Sequence, residues 1–281
     1  MAIFNKKTNP RRNQVRRNIS SGRSTRVSAL ARREVVISIL LWLGFALAAT
    51  AILSFEMLGQ GRFRAVAALS AVVVFLSAGA AFYIYHYENR ILHNHARATA
   101  LIGVFLVLLG ALKIAVLSSG PSRWTPGAAT GTAVVAAIVF VIAYDQRFAI
   151  GMGILYALFA CLGVGPRPDD GFQLQGVGLF LTMAAGVATC CFSLREIRTR
   201  MKLLEVSALT AIAVFAMALS VVYLNFLGEP QDFVSVVWAA GHHGLAAFLG
   251  GLLIQSLLPL IEKTFRIATS MTLLDYSDAN Q

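Results

Sequence analysis

The chain alternates between long apolar runs and short polar or charged segments, and the runs are long enough to cross a membrane. A helix needs about 20 residues to span a hydrocarbon core of about 30 Å. The pattern therefore predicts an all-α fold, a polytopic transmembrane helical bundle of about eight spans, within residues 34–261. The predicted spans cover residues 35–58, 65–85, 100–117, 128–144, 148–164, 174–194, 203–227 and 234–260.

The segments between the spans contain turn-forming and charged residues. Residues 118–127 are rich in Gly and Pro, which predicts a loop, with Trp124 as an interfacial anchor. The apolar stretch from 128 to 164 is too long for one crossing and is divided by Asp145, Gln146 and Arg147. A re-entrant hairpin is the alternative, but its turn would have to be buried in protein. We interpret the stretch as two short spans.

Basic residues are concentrated before the first span. Residues 1–33 hold ten Lys or Arg and no acid, so this segment accounts for most of the net charge of +11 of the whole chain. Such a segment cannot bury enough apolar surface to fold, so we predict a disordered basic cytosolic arm. A plain positive-inside topology signal is the leading interpretation of this arm. Contact with anionic lipid headgroups is the alternative, and it is favoured over nucleic-acid binding. Nucleic acid is not an expected partner of the arm, because Phe4 is its only aromatic residue that could stack on a base.

Composition agrees with a membrane protein, since 57% of the residues are hydrophobic and only 13% are charged. With the N-terminus inside, the predicted cytosolic segments hold 19 basic residues and the external loops hold four. This asymmetry satisfies the positive-inside rule. We therefore expect a multi-pass protein of the cytoplasmic (inner) membrane, with the lipid bilayer as its main partner and both termini in the cytosol.

Candidate metal ligands in the sequence do not form a convincing site. His86, His93 and His95 lie close together, but residues two apart on a helix point in nearly opposite directions. The three cysteines lie inside predicted spans, and their spacing fits neither a zinc site nor a disulfide framework. We expect no metal ligands and no cofactor in this chain.

Three of the ionisable residues inside the predicted spans have two interpretations each. Lys113 either extends its side chain to the interface or is a buried functional lysine. His242 and His243 are either hydrogen-bonded histidines of the bundle or part of a proton or metal site.

The last predicted span runs into a charged and then amphipathic segment. Pro259 lies near the predicted helix end, where a lost backbone hydrogen bond costs less. Glu262, Lys263 and Arg266 then mark the exit into water, because such charges are costly at bilayer depth. Residues 262–281 are therefore predicted to be a cytosolic linker.

That exit segment, LLPLIEKTFRIATSMTLLDYSDAN, resembles the corresponding region of bacterial seven-transmembrane HD phosphohydrolases, the PgpH-type enzymes that degrade cyclic di-AMP. Their segment typically reads LLPxLExxFGIxTxxxLLELSDxNxPLL and leads into a cytosolic HD catalytic domain. Arg266 stands where the family has Gly, and Asp275 replaces the usual Glu. The matching positions are Leu257, Leu258, Pro259, Leu260, Glu262, Phe265, Ile267, Thr269, Leu273, Leu274, Ser277, Asp278 and Asn280.

The resemblance implies a seven-helix core formed by spans two to eight. It also implies an HD domain with a divalent metal pair, but this sequence contains no His-Asp dipeptide, so we expect no catalytic residues in the chain. Relatives carry a large extracellular domain between their first two helices, and here a short turn, residues 59–64, takes its place.

The expected function is that of a membrane-anchoring and signal-transducing module of a truncated HD phosphodiesterase in cyclic dinucleotide signalling. Its coupling linker would comprise Pro259, Glu262, Phe265, Ile267, Leu273, Leu274, Asp275 and Asp278. A small transporter or channel is the alternative function, although it would need charged or broken helices at the bilayer midplane. The sequence leaves open whether the chain forms a homo-oligomer.

The charge asymmetry yields a topological prediction. A reporter enzyme that is active only outside the cytosol, fused after Gln281, should give no signal, whereas the same reporter fused in residues 118–123 should be active. A strong signal from the fusion after Gln281 would mean an odd number of crossings and would contradict this topology.

Overall fold

The computed structural model describes residues 36–87, 95–119, 124–165, 172–194, 200–225 and 233–265. These residues form eight helices, each long and apolar enough to cross a membrane, and they contain no β-strand. The prediction of an all-α bundle is therefore confirmed. The helices are α1 (Val36–Gly59), α2 (Phe63–Tyr87), α3 (His95–Ser119), α4 (Trp124–Ala143), α5 (Gln146–Val164), α6 (Phe172–Ser193), α7 (Arg200–Asn225) and α8 (Phe233–Phe265).

Several predicted features lie outside the described residues. They include the basic arm, residues 1–33, and His93. Five of the predicted linker residues are also outside: Ile267, Leu273, Leu274, Asp275 and Asp278.

The chain divides into two compact units, Met1–Gly44 and Phe45–Gln281. In the first unit the described residues are 36–44, which form the beginning of α1. The second unit contains the remainder of α1, the other seven helices and the hydrophobic core described below.

Helix α4 is the most buried element of the second unit. In its most apolar stretch 67% of the residues are buried, whereas the corresponding stretch of α2 is 22% buried. Its sequence consists largely of Ala, Val, Gly and Thr, and these small residues allow neighbouring helices to approach closely. Helix α4 packs against α3, α5, α6 and α8. The sequence of α4 therefore fits a central position.

Aromatic rings join the second half of α1 to α3 and α5. The ring of Phe105 lies 5.3 Å from that of Phe45 and 5.3 Å from that of Phe159, both in edge-to-face geometry. Tyr156 contributes a fourth ring, 5.1 Å from Phe105. Edge-to-face packing is favourable because the positive edge of one ring meets the negative face of another. These rings form one side of the core.

Contacts between side chains define the relative direction of several helices. Phe45 meets Phe105 and Glu56 meets Lys113, so α1 and α3 run parallel. Gly244 packs against Phe215, whereas Gly251 packs against Ser207, so α7 and α8 run antiparallel. This is the pattern expected when successive helices cross a membrane in alternate directions.

Two of the helix boundaries that differ from the sequence-based expectation involve prolines. The loop predicted for residues 118–127 is shorter, because α4 already begins at Trp124. Pro126 lies in its first turn, where a backbone N–H would have no intrahelical partner, so proline is tolerated there. Pro259, expected near a helix end, lies inside α8, which continues to Phe265.

Lys113 is buried and has an acidic partner. Its Nζ lies 3.5 Å from Oε2 of Glu56, and the side chains of Lys113 and Glu56 are 9% and 51% exposed. The ammonium group therefore depends on one carboxylate that remains partly accessible. Because a charge in an apolar bundle is costly without a partner, this pair stabilises the attachment of α1 to α3.

We predict that Glu56→Ala lowers the free energy of unfolding by about 1–3 kcal/mol, since it leaves a buried donor unpaired. The matched control is Glu205→Ala, whose partner Lys202, at 2.9 Å, is much more exposed. That exposed pair should contribute no more than about 0.5 kcal/mol. Unfolding of the purified chain in mild detergent, followed by SDS titration, measures both. Equal stability of Glu56→Ala and the wild type would contradict the role of the pair.

Candidate functional site

Helix α8 is the longest described helix and is packed along most of its length. Its 33 residues correspond to about 50 Å at 1.5 Å per residue, more than the hydrocarbon core of a bilayer. It packs against α4 and α7. The residues other than glycine that are buried along it are Val236, Ala240, His242, Ala247, Ile254, Leu258 and Ile261. The bundle therefore holds α8 from its first turn to a point beyond Pro259.

Glycines bring the backbones of α4 and α8 into close contact. A Cβ atom built on Gly127 would lie 3.1 Å from the carbonyl oxygen of His242, and one on Gly131 would lie 3.0 Å from that of Ala246. A Cβ atom on Gly250 would lie 3.0 Å from the carbonyl oxygen of Gly131. From one contact to the next the residue number increases along both helices, so α4 and α8 run parallel. We call these residues the glycine contact.

The opposite side of α8 meets α7 with similar closeness. A Cβ atom on Gly244 would lie 3.1 Å from the carbonyl oxygen of Ala211. One on Gly251 would overlap the side chain of Ser207, whose hydroxyl donates to the carbonyl of Leu203 at 2.6 Å. Helix α8 is therefore held between two helices with little side-chain padding on either side.

The two histidines of α8 have different surroundings. His243 Nδ1 is 2.7 Å from the hydroxyl oxygen of Thr130, which agrees with the interpretation of a hydrogen-bonded bundle histidine. His242 is 8% exposed, and its buried Nδ1 has no hydrogen-bond partner. Its ring centroid lies 4.1 Å from that of Trp124 and 6.0 Å from that of Trp238. Trp124, expected at an interface, is 55% exposed and also covers His242.

Three residues of the predicted coupling linker lie on α8. Pro259 is exposed and is flanked by the buried residues Leu258 and Ile261. Glu262 and Phe265 belong to the last helical turns. These backbone positions join the packed part of α8 to the segment beyond Phe265.

Other candidates from the sequence remain apart from this region. His86 is exposed at the end of α2, with its ring 5.2 Å from that of Tyr87. Within the described ranges no group of three or more His, Cys, Asp or Glu residues could hold a metal ion. The region around α8 therefore combines close helix packing with one cluster of side chains, that of His242, His243, Thr130 and Trp124.

Sequence reasoning missed the α4 side of the glycine contact and the Glu56–Lys113 pair. Gly127 and Gly131 are four residues apart, which is the spacing of a helix-packing motif in membranes. Gly127 was instead assigned to a loop, because it follows Pro126. The Glu56–Lys113 pair has no such local signal, since the partners are 57 positions apart.

Comparison with known families gives one further finding. The model of the family described as "7TM receptor with intracellular HD hydrolase" matches residues 63–269. The matched region begins at the first residue of α2 and includes α3 to α8 and the first residues beyond α8. No curated protein and no solved structure gives a significant match.

We predict that Gly131→Val destabilises the bundle, because its side chain would push directly into the backbone of α8. Overpacking of this kind costs about 1–3 kcal/mol. Gly110→Val in α3 is the matched control, since a Cβ atom there has nothing within 4 Å. Thermal stability of both variants in detergent, measured by fluorescence-detected gel filtration, tests the difference. If both melted at the same temperature, the glycine contact would not limit the packing of α4 and α8.

Proposed function

The chain belongs to the family of 7TM receptors with an intracellular HD hydrolase, and we propose that its helices form the membrane module that anchors and regulates such a hydrolase. The match over residues 63–269 carries this proposal. It includes α2 to α8, the same seven helices that the sequence assigned to the family core. The family resemblance inferred from the exit segment is thereby confirmed.

Within this module α8 is the proposed coupling element. It is one continuous helix from Phe233 to Phe265, which carries the histidine cluster, His242 and His243, and includes the first residues of the predicted linker. Helices α4 and α7 contact the backbone of α8 closely. Because α8 is continuous to Phe265, a displacement of α8 relative to these two helices would be passed to the segment that follows Phe265. Coupling of this kind requires a structural element that connects two sites and that can adopt two arrangements. The proposed coupling residues are Pro259, Glu262, Phe265, Ile267, Leu273, Leu274, Asp275 and Asp278.

We propose that both termini lie in the cytosol and that the protein resides in the cytoplasmic membrane. Three observations support this topology. The family description places the hydrolase inside the cell. Helices α1 and α3, and also α4 and α8, run parallel, as alternate crossings require. The positive-inside rule gives the same orientation. The basic arm, residues 1–33, would then face anionic lipids of the inner leaflet.

The substrate class of the hydrolase is proposed from the exit segment. That segment resembles the one found in cyclic di-AMP phosphodiesterases, so a cyclic dinucleotide is the proposed substrate, and the divalent metal pair belongs to the HD domain. The transporter alternative gains no support from the described residues. Lys113 is paired with Glu56 near the ends of α3 and α1 rather than with a ligand site at the midplane.

The coupling role can be tested by changing the connection between α8 and a hydrolase. An HD domain from the family is joined after Gln281, and one to four alanines are inserted after Thr269. Each added helical residue rotates the domain by about 100° relative to α8. We expect hydrolysis of cyclic di-AMP to vary with the number of alanines and to recover partly at four, when the helical phase nearly returns.

Insertions of Gly and Ser with the same lengths are the matched controls, because a flexible segment does not transmit helical phase. With these insertions, regulation of the hydrolysis rate by the membrane helices should be reduced to the same extent whatever the length of the insertion. If hydrolysis were the same for every alanine insertion, α8 and the linker would be only a tether. A soluble HD domain without the membrane helices gives the unregulated reference rate.

A further inference from the structure

The histidine cluster of α8 has no role in the proposed coupling, although an ionisable group inside a membrane bundle commonly marks a functional site. We propose that His242 is a proton-binding site, in which the charged imidazolium is held between the rings of Trp124 and Trp238. The proposal rests on the geometry of three side chains and does not require a hydrolase.

The free nitrogen of His242 is the first support. Its Nδ1 is buried and has no hydrogen-bond partner, while the whole residue is only 8% exposed. A buried polar atom without a partner is unusual and calls for an explanation. Nδ1 is an atom that can accept a proton, and histidine is the side chain that ordinarily changes its charge between about pH 5 and 8.

The two tryptophans are the second support. Their ring centroids lie 4.1 Å and 6.0 Å from that of His242, within the distance of about 6 Å at which an aromatic face attracts a cation. Trp is the aromatic residue with the strongest attraction of this kind. Trp124 comes from α4 and Trp238 lies one turn before His242 on α8, so the two elements enclose the imidazole together.

His243 provides the contrast within the same helix. Its Nδ1 already pairs with the Thr130 hydroxyl at 2.7 Å, and Thr130 also donates a hydrogen bond to the Pro126 carbonyl at 3.1 Å. That histidine is therefore tied to α4 by its Nδ1, whereas the Nδ1 of its neighbour is free. The difference makes His243 the matched control for any measurement on His242.

Other charged groups do not account for the site within the described residues. On α4 the segment from Trp124 to Thr130 has no ionisable side chain, and on α8 the neighbouring ionisable residue is His243. On α7 the residues that meet α8 near His242 are Ala211 and Phe215. Of the other helices that contact α8, α7 carries Tyr223 near its end and Arg200, Lys202 and Glu205 at its opposite end. Helix α3 carries the paired Lys113, and Arg97 and His95 near its start. Arg123, Glu229 and Asp232 lie outside the described residues.

Proton binding at His242 would act at the glycine contact. The carbonyl oxygen of His242 is the atom that a Cβ atom on Gly127 would meet at 3.1 Å, so the backbone that carries the imidazole touches α4 directly. A positive charge between Trp124 and Trp238 strengthens the attraction between α4 and α8 at this point. Given the proposed function, the proton is then one signal that α8 carries to the hydrolase.

The test uses the intrinsic fluorescence of the full chain in lipid nanodiscs. The chain has three tryptophans, and Trp42→Phe leaves Trp124 and Trp238 as the reporters. A charged imidazole quenches an adjacent indole, so we expect a reversible loss of emission as the pH is lowered from about 8 to 5. His242→Gln should abolish the loss, and His243→Gln should retain it. A constant emission in the Trp42→Phe chain, or an unchanged loss in His242→Gln, would overturn the proposal.

A second measurement does not depend on the folding of the His242 variant. The wild-type chain labelled with ¹³C at Cε1 of histidine gives signals from five histidines. Single Gln substitutions of His86, His93, His95 and His243 assign the signal of His242 by elimination. That signal must shift over the same pH range as the fluorescence, and a signal that stays constant would disprove proton binding. Because neither measurement involves hydrolysis, failure here leaves the alanine-insertion test of coupling unaffected.

Discussion

The packing of this bundle depends on the absence of side chains where α4 meets α8. Inside a lipid bilayer apolar helices gain little from the hydrophobic effect on meeting each other, so association relies on close van der Waals contact. Gly127, Gly131 and Gly250 provide it, because the two backbones approach so closely that an added Cβ atom would lie only 3.0–3.1 Å from a carbonyl oxygen. Helix α4 can therefore be buried in the centre of the bundle, and α8 can be held between α4 and α7.

The sequence predicted those features that depend on local properties. Eight helices follow from the length of each apolar run, because a bilayer leaves few other ways to satisfy backbone hydrogen bonds. Family membership follows from the residues around Pro259, since they form a contiguous motif. Features that depend on distant residues were missed. The partner of Lys113 could not be read from the sequence, because Glu56 is brought to it only when α1 packs on α3. The role of Gly127 was missed because Pro126 has the same local signal in a loop and in the first turn of a helix.

Pro259 shows how packing changes the meaning of a residue. Proline removes one backbone hydrogen bond and often introduces a bend in a helix, which makes it a natural candidate for a hinge. In α8, however, Leu258 precedes it and Ile261 follows it, and both are buried with only 5% and 8% of their surface exposed. Because the bundle holds the helix on both sides of Pro259, free bending there is restricted. The bundle therefore holds α8 as far as Ile261, which lies beyond Pro259.

The same contacts restrict two kinds of motion for α8. His242, Ala246 and Gly250 recur at every fourth position on the face toward α4, whereas Leu249 and Leu253 are exposed beside it. A large rotation would turn these leucines toward the backbone of α4, where even a single added Cβ atom would be a tight fit. A shift of one turn along the helix axis would place Ala246 or Ile254 where Gly250 now meets Gly131. The glycine contact therefore opposes both motions, and α8 can move in this region only if α4 moves with it.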